Sequence, residues 1–315
     1  MPSSAVLTFS DPENYARSIR GANIELTELG GGDFAGKITR VDFHRLWMQR
    51  LSENLPRILH SAHSSDRVIV SFQTQPGASL IRSGIEVSPH SVVCLGTNHS
   101  YFQRSSGPIG WGAMSMPMED MRSVTAAVTG HDLKPLPHDL IVNPGVQPMA
   151  RLQRLHLAAG RLAEVSPDII ANPAAAHGLE QALLQAMIAC LGMPDRVVRD
   201  TARHRHAQIM RRFHAAIGER SGEAVYIPEL CATVGVPERT LRLCCYESLG
   251  MGPKRYLLLR RMNLARQRLR RADSTVTTVT EIAASLGFWS FGRFAVEYKA
   301  LFDEAPSGTL QQAAP

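Results

Sequence analysis

The chain has no paired-cysteine spacing, no long apolar run and few aromatic residues, and each shortage excludes a class of protein. Its five cysteines in 315 residues include no C-x-x-C pair, so neither a disulfide framework nor a zinc ribbon is supported and a reducing compartment is expected. No apolar run approaches the roughly 18 residues needed to cross a bilayer. The opening M-P-S-S-A-V-L-T-F-S-D-P lacks the basic start and apolar middle of a signal peptide. The expectation is a cytoplasmic protein with no membrane partner. Also missing are a G-x-S-x-G elbow, a Walker loop, a dinucleotide fingerprint and H-E-x-x-H, which leaves an enzymatic reading without a motif. Gly30-Gly31-Gly32-Asp33-Phe34 reads as a turn into a strand, since no lysine follows and no helix opens behind it. His60 and His63, His90 and His99, and His131 and His138 are scattered, without the H-x-H and following carboxylate of a metal-binding barrel. Neither a metal nor a cofactor is therefore expected.

What is present points elsewhere. The length allows two domains, and 44% hydrophobic residues can fill their cores. The net charge is +6 and the pI about 9.3. The distribution of that charge is more informative than its size. Between Arg239 and Arg271 lie Arg242, Lys254, Arg255, Arg260, Arg261, Arg266, Arg268 and Arg270, opposed only by Glu247, and such a stretch suits a polyanionic partner. Adjacent Cys244 and Cys245 are read as small buried hydrophobes rather than a redox pair.

Texture divides the chain in three. Residues 1–145 are β-rich, with short apolar runs such as Val68 to Phe72 and Val92 to Leu95 set between Gly, Pro, Ser and Asn clusters. Residues 146–217 turn helical. Arg151 to Leu157 begins one amphipathic pattern, Leu179, Leu183, Met187 and Ile188 stripe a second, and Val198, Ala202, Ile209 and Phe213 a third. These stripes suit either pairing of two subunits or covering the β-rich part. The Arg- and His-rich stretch from Asp195 to Arg220 reads mostly as a solvated face. Polar, glycine-containing residues 218–224 suit a hinge, and 218–315 form an all-helical end.

That end repeats one pattern. Thr278 and Glu281 form a capping box, so a helix begins at Val279 with Ile282, Ala283 and Leu286 inward. Gly287 ends it, and Ser290 is the N-cap of a second helix that carries Phe294, Tyr298 and Leu301 inward. Glu229 to Val236 matches Glu281 to Phe288 position by position, with Gly235 and Gly287 52 positions apart. Pro228 suits the first turn of the earlier unit, whose second helix begins near Pro237-Glu238. Between the units Pro253 starts a helix to about Arg270, with Leu258, Met262, Ala265 and Leu269 as its stripe. Helix, glycine turn, helix is the sequence form of a helix-turn-helix.

Over roughly Val225 to Leu310 the chain resembles the tandem DNA-binding domain of the AraC/XylS family of bacterial transcription regulators. The residues that carry the likeness are Gly235, Leu241, Leu249-Gly250, Pro253, Tyr256-Leu257, Arg261-Met262, Ala265, Ile282-Ala283, Gly287-Phe288, Phe294, Tyr298-Lys299 and Pro306. The resemblance implies an α+β protein. An N-terminal cupin-like barrel would hold an unidentified small-molecule effector, a helical linker would pair two copies, and a C-terminal all-α domain would carry two helix-turn-helix units joined by a long helix. It implies operator DNA and RNA polymerase as partners, with activation the commoner outcome.

By comparison with the family, Glu238, Arg239, Arg242 and Leu243 face DNA from the first unit. Leu243 departs from the usual polar or basic residue and suggests methyl contact or packing. Phe291, Gly292, Ala295 and Val296 face DNA from the second unit, with Ser290 and Arg293 suited to phosphate. Phe291 is expected to pack beside Trp289 as core or rim. The competing readings are a barrel enzyme with a helical accessory domain and a DNA-binding scaffold without sequence preference.

Overall fold

The computed structural model describes residues 1–63, 66–75, 77–96, 100–129, 139–192, 201–218 and 226–312. The hinge expected after Gly218, together with His99, His131, His138, Pro194 and Val198, lies outside the described residues.

The first part of the chain is mostly strand. β1 (Ser3–Phe9) is followed by α1 (Pro12–Arg17), and then come β2 (Asn23–Glu28), β3 (Gly36–Asp42), β4 (Trp47–Glu53), β5 (Arg57–Ala62) and β6 (Arg67–Gln73). β7 (Leu80–Arg82), β8 (Ile85–Glu86), β9 (Val92–Cys94), β10 (Ser100–Ser105) and β11 (Ile109–Pro117) lead to α2 (Met118–Thr129) and β12 (Leu140–Val142). All pairings are antiparallel, and they build two sheets. Seven strands run in the order β1-β3-β4-β11-β6-β9-β12 and five in the order β2-β5-β10-β7-β8. The expected cupin-like barrel is therefore not closed: among the described residues no pairing joins one sheet to the other, and the strands face each other as two layers.

The helical stripes are spent inside the chain. α3 (Val146–Val165), α4 (Pro167–Ala171) and α5 (Pro173–Leu191) cover one face of the seven-stranded sheet. There Leu152, Leu183 and Met187 bury against Val41, Met48, Val70 and Met114. Buried Glu180 on α5 fixes the β3–β4 turn, accepting from the backbone N–H of Arg45 at 2.7 Å and Leu46 at 2.9 Å. Of the two roles expected for these stripes, the structure shows the covering one.

α6 (Thr201–Gly218) buries Ile209 and Phe213 against α7 (Ile227–Val234) and α8 (Glu238–Leu249), with Ile58 of β5 and Phe102 of β10 completing that core. α9 (Pro253–Arg271), α10 (Val279–Ser285), α11 (Phe291–Phe302) and α12 (Pro306–Gln311) share another. In α9 the first buried turns use Tyr256 and Leu259, while Leu258 is only half-buried, so the expected stripe is rotated by one residue at its start. On α6 Arg205 and Arg212 are exposed, as expected of the Arg/His stretch, but two of its histidines are engaged within the chain. His206 meets Glu247 at 2.6 Å, and His214 meets Glu25 at 3.2 Å while stacking on His60 with ring centroids 3.3 Å apart.

Candidate nucleic-acid interface

Two helical hairpins are built by the same local rules. α7 ends where Gly235 takes φ 73°, and Gly287 takes φ 72° after α10, a left-handed backbone that costs glycine little. The turns close with the same hydrogen bond. Val236 N–H donates to the Cys231 carbonyl and Phe288 N–H to the Ala283 carbonyl, each at 3.1 Å. The repeat seen in sequence is therefore a repeat in backbone geometry. The expected capping box is formed, with Glu281 N–H donating to Thr278 Oγ1 at 3.2 Å and Thr278 N–H to Glu281 Oε2 at 2.8 Å.

α8 buries Leu241, Cys244, Cys245 and Leu249, which turns the opposite face to solvent. Glu238, Arg239, Arg242 and Leu243 are all exposed, and Tyr246, one turn beyond Arg242, stands out with them. Among the described residues neither Arg239 nor Arg242 forms an ion pair, so both guanidinium groups are available to an external acceptor. Burial pushes the Cys244 thiol up to about 11 and the Cys245 thiol up to about 12, which suits packing residues rather than reactive thiolates. Tyr246 was not foreseen, although its i+4 spacing from Arg242 was the available signal.

α11 buries Phe294, Tyr298, Leu301 and Phe302, and the Tyr298 hydroxyl meets Thr309 Oγ1 at 2.9 Å. Ser290, Phe291, Gly292, Arg293 and Val296 are exposed, and Ala295 is half-buried. Trp289 is 84% exposed and Phe291 40%. They are therefore not a core pair, which leaves the rim as the place for Phe291 among the two expected for it. Ser290 sits at the N-cap without making a side-chain cap. The Arg293 guanidinium lies on Glu297 at 2.8 Å, an exposed i,i+4 pair that a phosphate could replace at little cost.

The long basic stretch does not share one environment, since Arg261 lies over the Phe288 ring and other cations are either exposed or paired with acids. Arg239, Arg242, Lys254, Arg255 and Arg268 are exposed, Arg268 donating to Ser285 Oγ at 2.8 Å. On α9, Arg266 is buried between Glu28 of β2 and Glu304, Arg260 meets Glu25 at 3.5 Å, Arg270 meets Asp11 at 3.4 Å, and Arg271 meets Glu13 at 2.5 Å. Asn263 adds two bonds to the Glu28 backbone, accepting from its N–H at 2.9 Å and donating to its carbonyl at 3.2 Å. The basic stretch expected to suit a polyanionic partner is thus partly taken up within the chain. Sequence reasoning counted charge along the chain, while Asp11, Glu13, Glu25 and Glu28 lie more than two hundred residues away from their partners.

Two short helices meeting at a left-handed glycine, with the second presenting an exposed cationic face, define a helix-turn-helix DNA-binding domain. The family model described as a helix-turn-helix domain matches residues 230–312. Over 85 residues the chain is 44% identical to a probable thc operon regulatory protein of Rhodococcus erythropolis, covering 27% of this chain and 26% of that protein. Over 90 residues it is 32% identical to the XylDLEGF operon transcriptional activator 3 of Pseudomonas putida, covering 29% and 27%. The solved structure of a probable AraC family transcriptional regulator from Rhodopseudomonas palustris is 32% identical, covering 34% of this chain and 98% of that one, with a TM-score of 0.31. Over this segment the chain is similar to AraC/XylS-type transcription regulators. The match spans about a quarter of the curated relatives' own length.

Among the described residues no helix is long and apolar enough to cross a membrane, and no three His, Cys, Asp or Glu side chains are grouped to hold a metal ion.

Proposed function

We propose that the chain is a sequence-specific, effector-responsive transcription regulator, dividing near residues 145 and 217 into a β-rich effector domain, a helical connector and a tandem helix-turn-helix domain. The observation that carries it is Arg239 and Arg242, one helical turn apart and both solvent-facing on α8. Each guanidinium has the fork geometry for the O6 and N7 of guanine. Glu238 and Leu243 flank them, Glu238 as an acceptor for cytosine N4 and Leu243 as an apolar contact for a thymine methyl.

α11 does different work in this reading. Phe291, Ala295 and Val296 offer apolar contacts, Gly292 lets backbone approach the duplex, and Ser290 and Arg293 hold phosphate. α9 spaces the two units. Its 19 residues span about 28 Å at 1.5 Å per residue, near the 34 Å or so between successive major-groove segments. The name of the Pseudomonas putida relative, an operon transcriptional activator, favours activation. For RNA polymerase and for pairing with a second copy the support is the family alone.

Selection of bound DNA from random duplexes tests the reading. The expected product is a bipartite motif whose first half loses base preference in Arg239→Ala and Arg242→Ala. A recovered pool without sequence preference would leave a non-specific DNA-binding scaffold. Binding that does not weaken with log[salt] would remove the DNA reading altogether.

A further inference from the structure

The space between the two sheets is walled by apolar side chains such as Leu51, Leu59 and Ile69, but a set of buried polar groups is placed among them. Antiparallel layers normally meet through apolar inner faces. Here Arg57, Ser61 and Gln103 of the five-stranded sheet face Glu53 and Trp111 of the seven-stranded sheet across a cavity of about 70 Å³. Ser61, Gln103, Glu53 and Arg57 are each more than nine-tenths buried. Arg57 and Glu53 satisfy each other at 2.6–2.7 Å. Ser61 Oγ, both amide atoms of Gln103 and Glu53 Oε2 have no protein partner among the described residues. Leaving that many buried polar atoms unmatched forfeits their hydration without return, and a fold retains such atoms where a second molecule takes the bonds.

The geometry points to a binding site for a small neutral amide in this cavity, resting on the regulator reading above for its role as an effector site. Three features set the class. Gln103 presents a donor and an acceptor on one planar group, which a primary carboxamide matches with two parallel hydrogen bonds, and Ser61 supplies a third. The Glu53 and Arg57 charges cancel, so a charged ligand would stand uncompensated in a buried space. An apolar cavity of about 150 Å³ takes benzene, so this one suits a molecule of about three to five non-hydrogen atoms.

The position of the cavity gives the site a readout. Successive residues of a strand point to opposite faces. On β5 and β10, Arg57, Ser61 and Gln103 line the cavity, while Ile58, His60 and Phe102 on the other face pack against α6 and α9 through Phe213, His214 and Tyr256. Ligand contact and the helical half are separated by the thickness of one sheet.

Calorimetric titration of the full-length protein with acetamide, propionamide, acetate and glycerol tests the assignment. The expected result is saturable binding of an amide and not of acetate or glycerol. Affinity should fall at least tenfold in Gln103→Leu, with a Tm no lower than that of the unliganded parent, and severalfold in Ser61→Ala, which carries the same test should the leucine variant not fold. Saturating amide is expected to change affinity for the selected DNA at least threefold. Absence of saturation, equal binding of acetate, preference for glycerol, or undiminished binding by both variants overturns the site. Unchanged DNA affinity overturns the coupling. A chain that selects a bipartite DNA motif but binds no amide refutes this cavity assignment alone. One that binds an amide but prefers no DNA sequence refutes the regulator and keeps the cavity.

Discussion

The arginines of α8 and α9 are neighbours in sequence and opposites in use. Arg239 and Arg242 point to solvent without a partner among the described residues, whereas Arg260, Arg266, Arg270 and Arg271 are taken up by acids at the start of the chain. Net charge along a segment therefore overstates its electrostatic footprint. What reaches a polyanion is the part that the rest of the fold has not neutralised. The same division has a structural meaning, because the α9 arginines tie the β-rich part to the helix that spaces the two hairpins.

Arg266 is the sharpest place to break that contrast. Its side chain is 7% exposed and that of Glu28 is 4% exposed. Burial pushes the Glu28 carboxyl up, against the pull of Arg266, so this carboxylate depends on its partner. Arg266→Ala should destabilise the protein by about 3–5 kcal/mol, the range for removing one member of a buried pair. Urea unfolding measures it, and a loss below about 1 kcal/mol would mean that the pair is solvated as surface pairs are. Arg239→Ala should do the reverse, with stability nearly unchanged and about 1–3 kcal/mol of DNA affinity lost at one base position. The slope of log K against log[salt] separates the two sets further. Lys254→Ala should lower it by about 1 if Lys254 meets phosphate, whereas Arg270→Ala should leave it unaltered.

Acid offers a milder way to loosen the same junction. Burial, reinforced by the neighbouring His214, holds His60 down to about 3, and burial holds His156 down to about 3 inside the helix-covered core. Both are neutral in the folded protein while an unfolded histidine takes a proton near pH 6.5. Below that pH the unfolded chain binds more protons, so stability falls as pH drops from about 6.5 toward 3. Between pH 7 and pH 5 the loss should be roughly 2 kcal/mol per histidine, and His60→Phe should remove one share of it. The Glu25 carboxyl, drawn down to about 2 chiefly by its hydrogen bond to His214, adds to the trend only below about pH 4.5. Denaturation midpoints that do not move between pH 7 and pH 5 would contradict these neutral histidines.

How much was legible from sequence follows from how local each cause is. The capping box at Thr278, the glycine stops at 235 and 287 and the outward set on α8 all arise within one or two helical turns, and the structure shows each of them. The open pair of sheets, the neutralised face of α9 and the polar gap around Gln103 depend on which distant strands meet, and no period of 2 or 3.6 encodes that. The α9 stripe holds at Met262, Ala265 and Leu269 and departs only at Leu258, for an intermediate reason. α9 is contacted on two sides, by its own hairpins and by β2, so its buried arc is wider than a single stripe and takes in Arg266. Trp289 stands 84% exposed, so of the two places expected for the Trp289–Phe291 pair, core or rim, only the rim remains.

The smallest effect tests the difference between the two exposed helix faces most finely. Gly292 lies in the first turn of α11, and a Cβ placed there would meet nothing within 4 Å, so packing does not require glycine. Alanine is the better helix former by roughly 0.8–1.0 kcal/mol in an interior position, and by less near an end. Gly292→Ala should therefore raise the unfolding free energy by a few tenths of a kcal/mol. If α11 lets its backbone approach the duplex there, the same methyl group should weaken DNA binding while the protein becomes more stable. The corresponding exposed change on α8, Leu243→Ala, should weaken binding without adding stability, because leucine and alanine differ little in helix propensity. Paired measurements of urea midpoint and DNA affinity distinguish the two cases. A Gly292→Ala protein that gains stability and binds DNA as before would place α11 away from the groove floor, with Arg239 and Arg242 alone carrying the base contacts.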